Sequence, residues 1–221
     1  GPHDAVVKVA ATSLCGTDAH IYRWDEWAQR RIHPPRIIGH ELCGHVVEVG
    51  REVSLVKVGD YVAAESHITC GRCFQCRTGQ AHVCKNYKIL GIDRDGSYAQ
   101  YVALPEGVLW HTAPDIPPEL ACVQEPLGNA VDAALAVDLT GQTVLITRCG
   151  PTGLFAAAVA RTAGAATIIA SDVSDYRLGL AKQVGADHVL NARTESSEQV
   201  AAAILEMTDG EGVDASLEMS G

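Results

Sequence analysis

The chain has 221 residues, of which 47% are hydrophobic and 20% are charged, a balance typical of globular proteins and unlike that of disordered ones. Its formal net charge is −10 without any Lys/Arg-rich run, which argues against a nucleic-acid partner because phosphate binding requires a basic surface. No apolar stretch approaches the roughly 20 residues needed to cross a bilayer, and GPHDAVVKV does not resemble a signal peptide, so we expect a cytoplasmic protein with no membrane partner.

Short β-branched segments separated by Gly and Pro dominate the first part of the chain. Apolar residues alternate with polar ones in AVVKVAAT (5–12), CGHVVEVG (43–50), DYVAAES (60–66) and YAQYVALP (98–105). This alternation, punctuated by turn-forming residues, predicts strands that are buried on one face. We therefore expect a β-rich domain over residues 1–130 and a second domain of a different type over 131–221.

Two motifs near the start of the β-rich domain carry side chains that bind metals. CGTD begins at Cys15, and GHE places His40 beside Glu41. One thiolate, one imidazole and one carboxylate would leave the fourth tetrahedral position of zinc open, as a catalytic site requires. Spacing alone leaves two alternatives open: Cys15 as a core residue, and GHE as a simple turn.

Four of the eight cysteines form a compact array at Cys70, Cys73, Cys76 and Cys84. The C-x2-C-x2-C-x7-C spacing suits tetrahedral zinc with four thiolates, which leaves no position for a substrate. It predicts a structural zinc lobe over about 66–88. Disulfides and an iron–sulfur cluster are the alternatives. The absence of a visible secretory signal argues against the first, and the absence of a trailing Cys-Pro argues against the second.

Strand and helix patterns alternate after residue 140. Strands are predicted at 142–147, 166–171, 187–192 and 213–219, with helices at 154–164, 175–184 and 196–208. Alternation at this spacing predicts an α/β fold with a parallel, doubly wound sheet. Such a sheet normally has six strands, and only about four are countable, so we expect a truncated dinucleotide-binding domain.

The turn after the first of these strands reads RCGPTG (148–153), where the dinucleotide-binding motif has G-x-G-x-x-G. Gly150 and Gly153 are present, but Arg148 replaces the first glycine and would either crowd the turn or reach toward the phosphates. Asp172 follows the next strand, at the position where an acidic residue binds the adenosine ribose and disfavours a 2′-phosphate. This pattern predicts NAD as the cofactor. A helix cap is the alternative role of Asp172.

These motifs, in this order and spacing, resemble those of the zinc-containing medium-chain alcohol dehydrogenases. The strings CGTDAHIYRWDEW (15–27), SHITCGRC (66–73) and EPLGNAV (125–131) are similar to those of the branch that acts on L-threonine, and the resemblance runs essentially the whole length of the chain. It implies a GroES-like catalytic domain followed by a Rossmann domain, with one catalytic and one structural zinc. It also implies a homotetramer for the full-length protein.

The same resemblance assigns roles to further residues. Thr17 and His20 match the proton relay of the family, because a hydroxyl and an imidazole in line can carry a proton to solvent. Glu125 falls where the family has an acidic residue beside the zinc; a solvated carboxylate is the alternative. His67 would border the substrate pocket, and Arg177 matches a position near the adenine ribose.

Thr152 completes the predicted cofactor-binding set because it lies in the first helical turn after the glycine-rich motif, where free N–H groups meet phosphates. The implied reaction is oxidation of the L-threonine 3-hydroxyl to 2-amino-3-oxobutanoate with hydride transfer to NAD. Two alternatives stay open: a zinc polyol or secondary-alcohol dehydrogenase of the sorbitol or butanediol type, and a non-catalytic zinc-stabilised relative. Arg148 and the truncated domain favour the latter.

Overall fold

The computed structural model describes residues 1–219, which form two compact units that meet in sequence at Glu125 and Pro126. Unit 1 covers residues 1–125, and unit 2 begins at Pro126. Each unit has its own cluster of buried apolar side chains.

Unit 1 contains the short strands that the alternating pattern predicts, together with short helices. Its strands are β1 (Asp4–Thr12), β2 (Leu42–Val49), β3 (Tyr61–Ala64), β4 (His67–Ile68), β5 (Lys88–Ile89), β6 (Tyr101–Pro105) and β7 (Leu109–His111). Its helices are α1 (Gly16–Arg23), α2 (Glu26–Arg31), α3 (Phe74–Arg77) and α4 (Pro118–Ala121), with single 3₁₀ turns at Ala81–Val83 and Glu106–Val108.

Five of these strands form an antiparallel sheet in the order β6-β1-β2-β3-β7. Val7 at the centre of β1 lies opposite Val46 of β2 and Val102 of β6, and all three are buried. Burial of one such side chain contributes about 1.5–3 kcal/mol, an upper estimate because the unfolded chain already buries part of its surface. Alternate residues of β1 thus supply the core, and β4 and β5 form a separate two-stranded sheet.

The segment between β1 and β2 contains two helices that the sequence reading did not predict. Asp25 caps α2 by accepting a hydrogen bond of 3.0 Å from the Ala28 N–H. The apolar side of α2 packs Ala28 and Ile32 against Ile92. An acidic N-cap ahead of a short apolar face explains this helix.

Unit 2 is an alternation of strands and helices. Helix α5 (Gln124–Ala134) crosses into it, and it continues with β8 (Thr143–Thr147), α6 (Pro151–Thr162), β9 (Thr167–Asp172), α7 (Asp175–Gln183), β10 (His188–Asn191), α8 (Ser197–Met207) and β11 (Ala215–Glu218). Ser196 caps α8 by accepting a hydrogen bond from the Gln199 N–H.

The four strands of unit 2 are parallel and run in the order β10-β9-β8-β11. Numbered along the chain within unit 2, the strands lie in the order 3-2-1-4. The first four strands of a dinucleotide-binding sheet have the same order, so the predicted doubly wound sheet is confirmed. The small side chains of Ala156 and Ala160 in α6 are fully buried against Val144 and Ile146 of β8. The carboxyl end of β8, where the glycine-rich turn begins, lies next to those of β9 and β11.

No helix within residues 1–219 combines the length and the apolar character needed to cross a membrane.

Candidate metal and dinucleotide sites

The three predicted catalytic zinc ligands converge in unit 1. Cys15 directly precedes α1, and His40 and Glu41 directly precede β2. Their ligand atoms all lie within 4.8 Å of one another, and His40 and Glu41 are only 6% and 5% exposed. A thiolate, an imidazole and a carboxylate that meet at one point can hold a single metal ion.

Gly39 fixes the direction of the chain just before the two adjacent ligands. Its φ of +91° lies in the left-handed region, and a Cβ at this position would come within 2.4 Å of the Tyr98 ring. The same glycine accepts a hydrogen bond of 2.9 Å from the Ser97 N–H. Only glycine satisfies both the conformation and the space, which explains the GHE motif.

Side chains from β1 and the residue after it hold Glu41 in place. The Ser13 hydroxyl donates to Glu41 Oε2, and the Thr12 hydroxyl donates to the Glu41 backbone carbonyl at 2.7 Å. Sequence reasoning missed both residues. Their positions just before Cys15 carry no motif, so only the fold brings them to Glu41.

Asp18 is a second supporting residue that sequence reasoning left without a role. It is buried, and its Oδ2 accepts hydrogen bonds of 2.9 Å from the Cys15 N–H and from the Tyr98 hydroxyl. An acidic residue three positions after a helix N-cap is a recognisable signal, because it can bond back to the N-cap N–H. Asp18 therefore orients the backbone of the Cys15 ligand.

The charges around the three ligands favour a divalent cation. Burial opposes protonation of His40, but its hydrogen bond with Cys15 and the negative charges of Cys15, Asp18 and Glu125 raise its pKa overall. The same excess of negative charge stabilises a dication, and a buried anionic donor set without one would be costly. One sulfur, one nitrogen and one oxygen donor fit zinc.

Glu125 lies beside this donor set and is buried, at 9% exposure. The Ser66 hydroxyl donates a hydrogen bond of 2.6 Å to Glu125 Oε1. Burial raises the pKa of Glu125, and the nearby charges of Glu65 and Glu41 act in the same direction. The alternative of a solvated carboxylate does not fit this environment.

The two residues that precede His67 in the sequence, Glu65 and Ser66, hold its imidazole in place. Its Nδ1 lies 2.8 Å from Glu65 Oε1 and 3.1 Å from the Ser66 hydroxyl. The hydrogen bond to Glu65 raises the pKa of His67, and burial partly opposes this. Ligand atoms of Glu65, His67 and Glu125 lie within 4.8 Å of one another and form a group separate from that of Cys15, His40 and Glu41. Sequence reasoning missed Glu65 and Ser66.

The two residues of the predicted proton relay lie on α1. Thr17 Oγ1 is 3.6 Å from Cys15 Sγ, so its hydroxyl borders the donor set. His20 follows three positions later, a spacing that places both side chains on one side of the helix. The His20 side chain is more than half exposed, and its Nδ1 is 2.5 Å from Asp25 Oδ2. Trp24 and Trp27 are partly exposed and have no assigned chemistry.

The four cysteines of the predicted structural site also converge. Sulfur–sulfur distances are 3.4 Å for Cys73–Cys76, 3.7 Å for Cys73–Cys84 and 3.6 Å for Cys84–Cys70. A tetrahedron with zinc–sulfur bonds of about 2.3 Å has edges of about 3.8 Å, close to these values. They are far longer than a disulfide bond of about 2.05 Å, so the cysteines are free.

Local hydrogen bonds prepare this lobe to bind a metal. The backbone N–H of Arg72, together with Asn86, lowers the pKa of Cys70 to about 6. Burial and the neighbouring sulfur of Cys73 raise the pKa of Cys76 to about 11. A lobe with one readily ionised thiol and one that stays protonated would release protons when zinc binds, because zinc takes thiolates.

The glycine-rich turn of unit 2 has the shape that a dinucleotide requires. Space around the Cα of Gly150 is open, whereas a Cβ on Gly153 would lie 2.0 Å from the Arg148 carbonyl oxygen. Gly153 therefore allows the start of α6 to pack closely against the turn. The first N–H groups of α6, including that of Thr152, have no intrahelical partner and can meet a phosphate. These features fit a dinucleotide.

Asp172, at the carboxyl end of β9, lies beneath the same turn. Its Oδ2 accepts from the Cys149 N–H and its Oδ1 accepts from the Ser174 N–H, both at 2.8 Å. Arg177 Nη1 lies 3.8 Å from Oδ2, and the Asp172 side chain is 0% exposed. In this arrangement Asp172 stabilises the turn, and its bonds to a ribose stay a prediction.

Comparisons with known proteins agree with this organisation. Residues 1–115 match the family model for the alcohol dehydrogenase GroES-like domain, and residues 151–221 match that for the zinc-binding dehydrogenases. The L-threonine 3-dehydrogenases of Pyrococcus abyssi and Symbiobacterium thermophilum are each 54% identical over 221 residues. Among solved structures, a zinc-binding dehydrogenase of Sinorhizobium meliloti 1021 bound to NADP gives a TM-score of 0.90 at 34% identity, covering 100% of this chain and 64% of that one.

A β-rich unit with two zinc-type donor sets, followed by a parallel sheet with a glycine-rich turn, defines the class of zinc-dependent dehydrogenases. The chain belongs to the zinc-binding alcohol dehydrogenase family, and it combines a GroES-like domain with a Rossmann-like sheet. The predicted family and fold class are therefore confirmed. The relatives named above are called L-threonine 3-dehydrogenase, and the chain spans 63% and 62% of their lengths.

Proposed function

We propose that the protein oxidises the side-chain hydroxyl of L-threonine to 2-amino-3-oxobutanoate and transfers the hydride to NAD. The convergence of Cys15, His40 and Glu41 on one point carries this proposal, because three protein ligands leave zinc a position that a substrate can occupy. Support for L-threonine as the substrate comes from relatives called L-threonine 3-dehydrogenase that are 54% identical to this chain over 221 residues.

Each bound group supplies its own chemistry. When bound, zinc acts as a Lewis acid that lowers the pKa of the substrate hydroxyl, and the nicotinamide of NAD accepts the hydride. Cys15, His40 and Glu41 would hold the catalytic zinc. Cys70, Cys73, Cys76 and Cys84 would hold the structural zinc in a closed site with no role in the reaction.

The protein's own residues supply a route for the proton that the hydroxyl loses. The Thr17 hydroxyl borders Cys15, and His20 lies one helical turn further on at the protein surface. Asp25 bonds His20 Nδ1 and so leaves Nε2 to exchange protons with solvent. A hydroxyl followed by an exposed imidazole can therefore pass the proton from the buried site outward.

On the other side of the predicted pocket lie the buried carboxylate of Glu125 and the partly exposed side chains of Glu65 and His67. Glu125, held by Ser66, would tune the charge of the zinc site from beside it. His67, held through Nδ1 by Glu65, keeps Nε2 for a hydrogen bond to the polar part of an amino-acid substrate. Both groups are positioned before substrate arrives, which limits the ordering cost of binding.

The cofactor assignment depends on the glycine-rich turn. Gly150, Thr152 and Gly153 would face the pyrophosphate, with Asp172 and Arg177 at the adenosine end. We assign residues 1–130 to the catalytic domain and 131–221 to the cofactor-binding domain. The family resemblance further suggests a homotetramer in the cytoplasm, which light scattering and cell fractionation would test.

The decisive experiment compares substrates and ligand variants in the full-length protein that carries this sequence. We expect L-threonine to be turned over with NAD in preference to sorbitol and 2,3-butanediol. Cys15→Ala should lower the zinc content from two ions to one per chain and reduce turnover by roughly a thousandfold, because the Lewis acid is lost. Zinc is counted by elemental analysis alongside the kinetics.

Cys122→Ala is the matched control, because Cys122 is a buried cysteine outside the metal-type donor groups formed within residues 1–219. This variant should keep both zinc ions and most of its activity. Absence of threonine turnover in a protein with two zinc ions would contradict the proposed substrate. Preference for sorbitol or butanediol would favour the polyol alternative, and a single zinc with no NADH binding would favour the non-catalytic relative.

A further inference from the structure

Arg148 occupies a backbone conformation that normally belongs to glycine. Its φ is +69°, in the left-handed region where a Cβ crowds the following carbonyl. The conformation is enforced from both sides. The Arg148 N–H donates a hydrogen bond of 2.7 Å to the Ser171 carbonyl at the end of β9. The Arg148 carbonyl oxygen packs on Gly153 of α6. The turn therefore keeps its shape although a side chain is present.

The Arg148 guanidinium also differs from the other arginines of unit 2 in its contacts. Arg161 bonds Gly185 and Asp187, Arg177 pairs with Asp172, and Arg193 donates to the Val173 carbonyl. Within residues 126–219, Arg148 is the arginine whose guanidinium has no protein partner, and its side chain is exposed at the carboxyl end of β8. Contacts within this unit do not explain the residue.

A conformational cost without a compensating protein contact points to a ligand. Ligands of parallel α/β sheets bind at the carboxyl ends of the strands, next to the first β–α turn. Arg148 stands at that turn, with the free N–H groups of α6 on one side and the buried Asp172 below it. A planar guanidinium at this place is well suited to a phosphate, which it can bind through two N–H groups.

We propose that Arg148 is a phosphate-binding residue of the dinucleotide site, and that binding offsets the strain of its left-handed backbone. This inference rests on the proposed cofactor-binding function. The shared ligand chemistry is a phosphate ester of the adenosine half of the cofactor, either the pyrophosphate or a 2′-phosphate. NADH carries only the first, and NADPH carries both.

The test measures NADH and NADPH dissociation constants by fluorescence, and Tm by calorimetry, for the full-length protein and three variants. Arg148→Gly should raise Tm by about 3 °C because it relieves the strain, and it should weaken NADH binding about fivefold to tenfold because a charge-assisted bond is lost. Arg148→Ala should lose the same affinity without the gain in Tm. Arg148→Lys should lose less affinity, because it keeps the charge.

Asp209→Gly is the matched control in the same unit. Asp209 has a φ of +52° but lies after α8, away from the glycine-rich turn, so its replacement should raise Tm without changing cofactor affinity. An equal loss of affinity for NADH and NADPH in the Arg148 variants would place Arg148 at the pyrophosphate. A larger loss of affinity for NADPH would place it at the 2′-phosphate. Both results support the proposal.

Unchanged or tighter binding of NADH and NADPH by Arg148→Gly and Arg148→Ala would overturn the proposal that Arg148 binds a phosphate. Failure of the parent protein to bind either dinucleotide is a different result, because it contradicts the proposed cofactor itself. The gain in Tm and the loss of affinity are independent readouts of the same residue. A purely structural role for Arg148 would predict neither.

Discussion

At the scale of single residues, the metal site depends on the few positions that give its ligands their direction. Gly39 turns the chain in a conformation closed to other residues, and Asp18 ties down the backbone of Cys15. Ser66 in turn holds Glu125. None of these three is a predicted zinc ligand. They matter because a ligand displaced by a fraction of an ångström no longer shares an ion with its partners.

Replacement of Gly39 by Ala should destabilise unit 1 by about 2–4 kcal/mol, because it adds a clash with the Tyr98 ring to the strain of a positive φ. Urea unfolding followed by circular dichroism would measure the loss, and elemental analysis would show a lower content of the catalytic zinc.

Gly59→Ala separates the two causes. Gly59 has a similar φ of +96°, but a Cβ there meets nothing within 4 Å, so only the strain of about 1 kcal/mol should appear. Equal losses of stability in Gly39→Ala and Gly59→Ala would mean that the clash with the Tyr98 ring does not destabilise the folded state.

At the scale of elements, one carboxylate links the segment that follows β2 to the 3₁₀ turn after β6. Glu106 Oε2 accepts hydrogen bonds of 2.6 Å from the N–H groups of both Ser54 and Leu55. These bonds require the ionised carboxylate as acceptor, and they lower the pKa of Glu106 below its ordinary value of 4.5. The connection between the two segments should therefore depend on pH.

The variant Glu106→Gln should be less stable than the parent at neutral pH, and the difference should shrink in acid. The folded pKa is lowered, so the stabilisation is complete above the unfolded pKa of 4.5 and is lost as the pH falls through the lower folded value. Urea unfolding at a series of pH values from about 7 to about 3 would measure the difference.

Glu48→Gln, at an exposed position of β2, provides the comparison for that series. The stability of this variant should match that of the parent protein across the whole pH range. A difference between Glu106→Gln and the parent that stayed constant down to the acid limit would show that ionisation of Glu106 has no structural role.

At the scale of the whole molecule, metal chemistry and cofactor chemistry are assigned to different units. Within residues 1–219, the groups of side chains able to hold a metal all lie in unit 1. The glycine-rich turn and the parallel sheet lie in unit 2. Each ligand should therefore stabilise its own unit, because a ligand that binds only the folded state shifts unfolding by mass action.

Calorimetry should separate these two effects. Removal of zinc with a chelator should lower the transition of the unit that holds the cysteine lobe, since that lobe contains only a two-stranded ribbon and short helical turns. Addition of NADH at about 100 times its dissociation constant should raise the free energy of unfolding of the unit that binds it by about 2.7 kcal/mol. A chelator that lowered both transitions equally would contradict this division.

The chemistry of the donor side chains and the type of each domain can be predicted from local sequence patterns alone. Four cysteines at short spacing specify a closed metal site because neighbouring sulfurs reach one ion without help from the rest of the fold. The alternation of apolar residues specified β1, since it reflects local burial on one face. The alternation of strand and helix patterns specified the parallel sheet of unit 2. Helices α1 and α2 were not predicted because they are short, with eight and six residues.

Which distant residues meet depends on how the strands and helices pack. Cys15 joins His40 and Glu41 because α1 and β2 both begin beside β1, and Glu125 meets Ser66, which lies 59 positions earlier in the sequence. The burial of Asp172 and the left-handed backbone of Arg148 likewise depend on how β8, β9 and α6 pack. Contacts between residues far apart in sequence arise from packing, which no local pattern encodes.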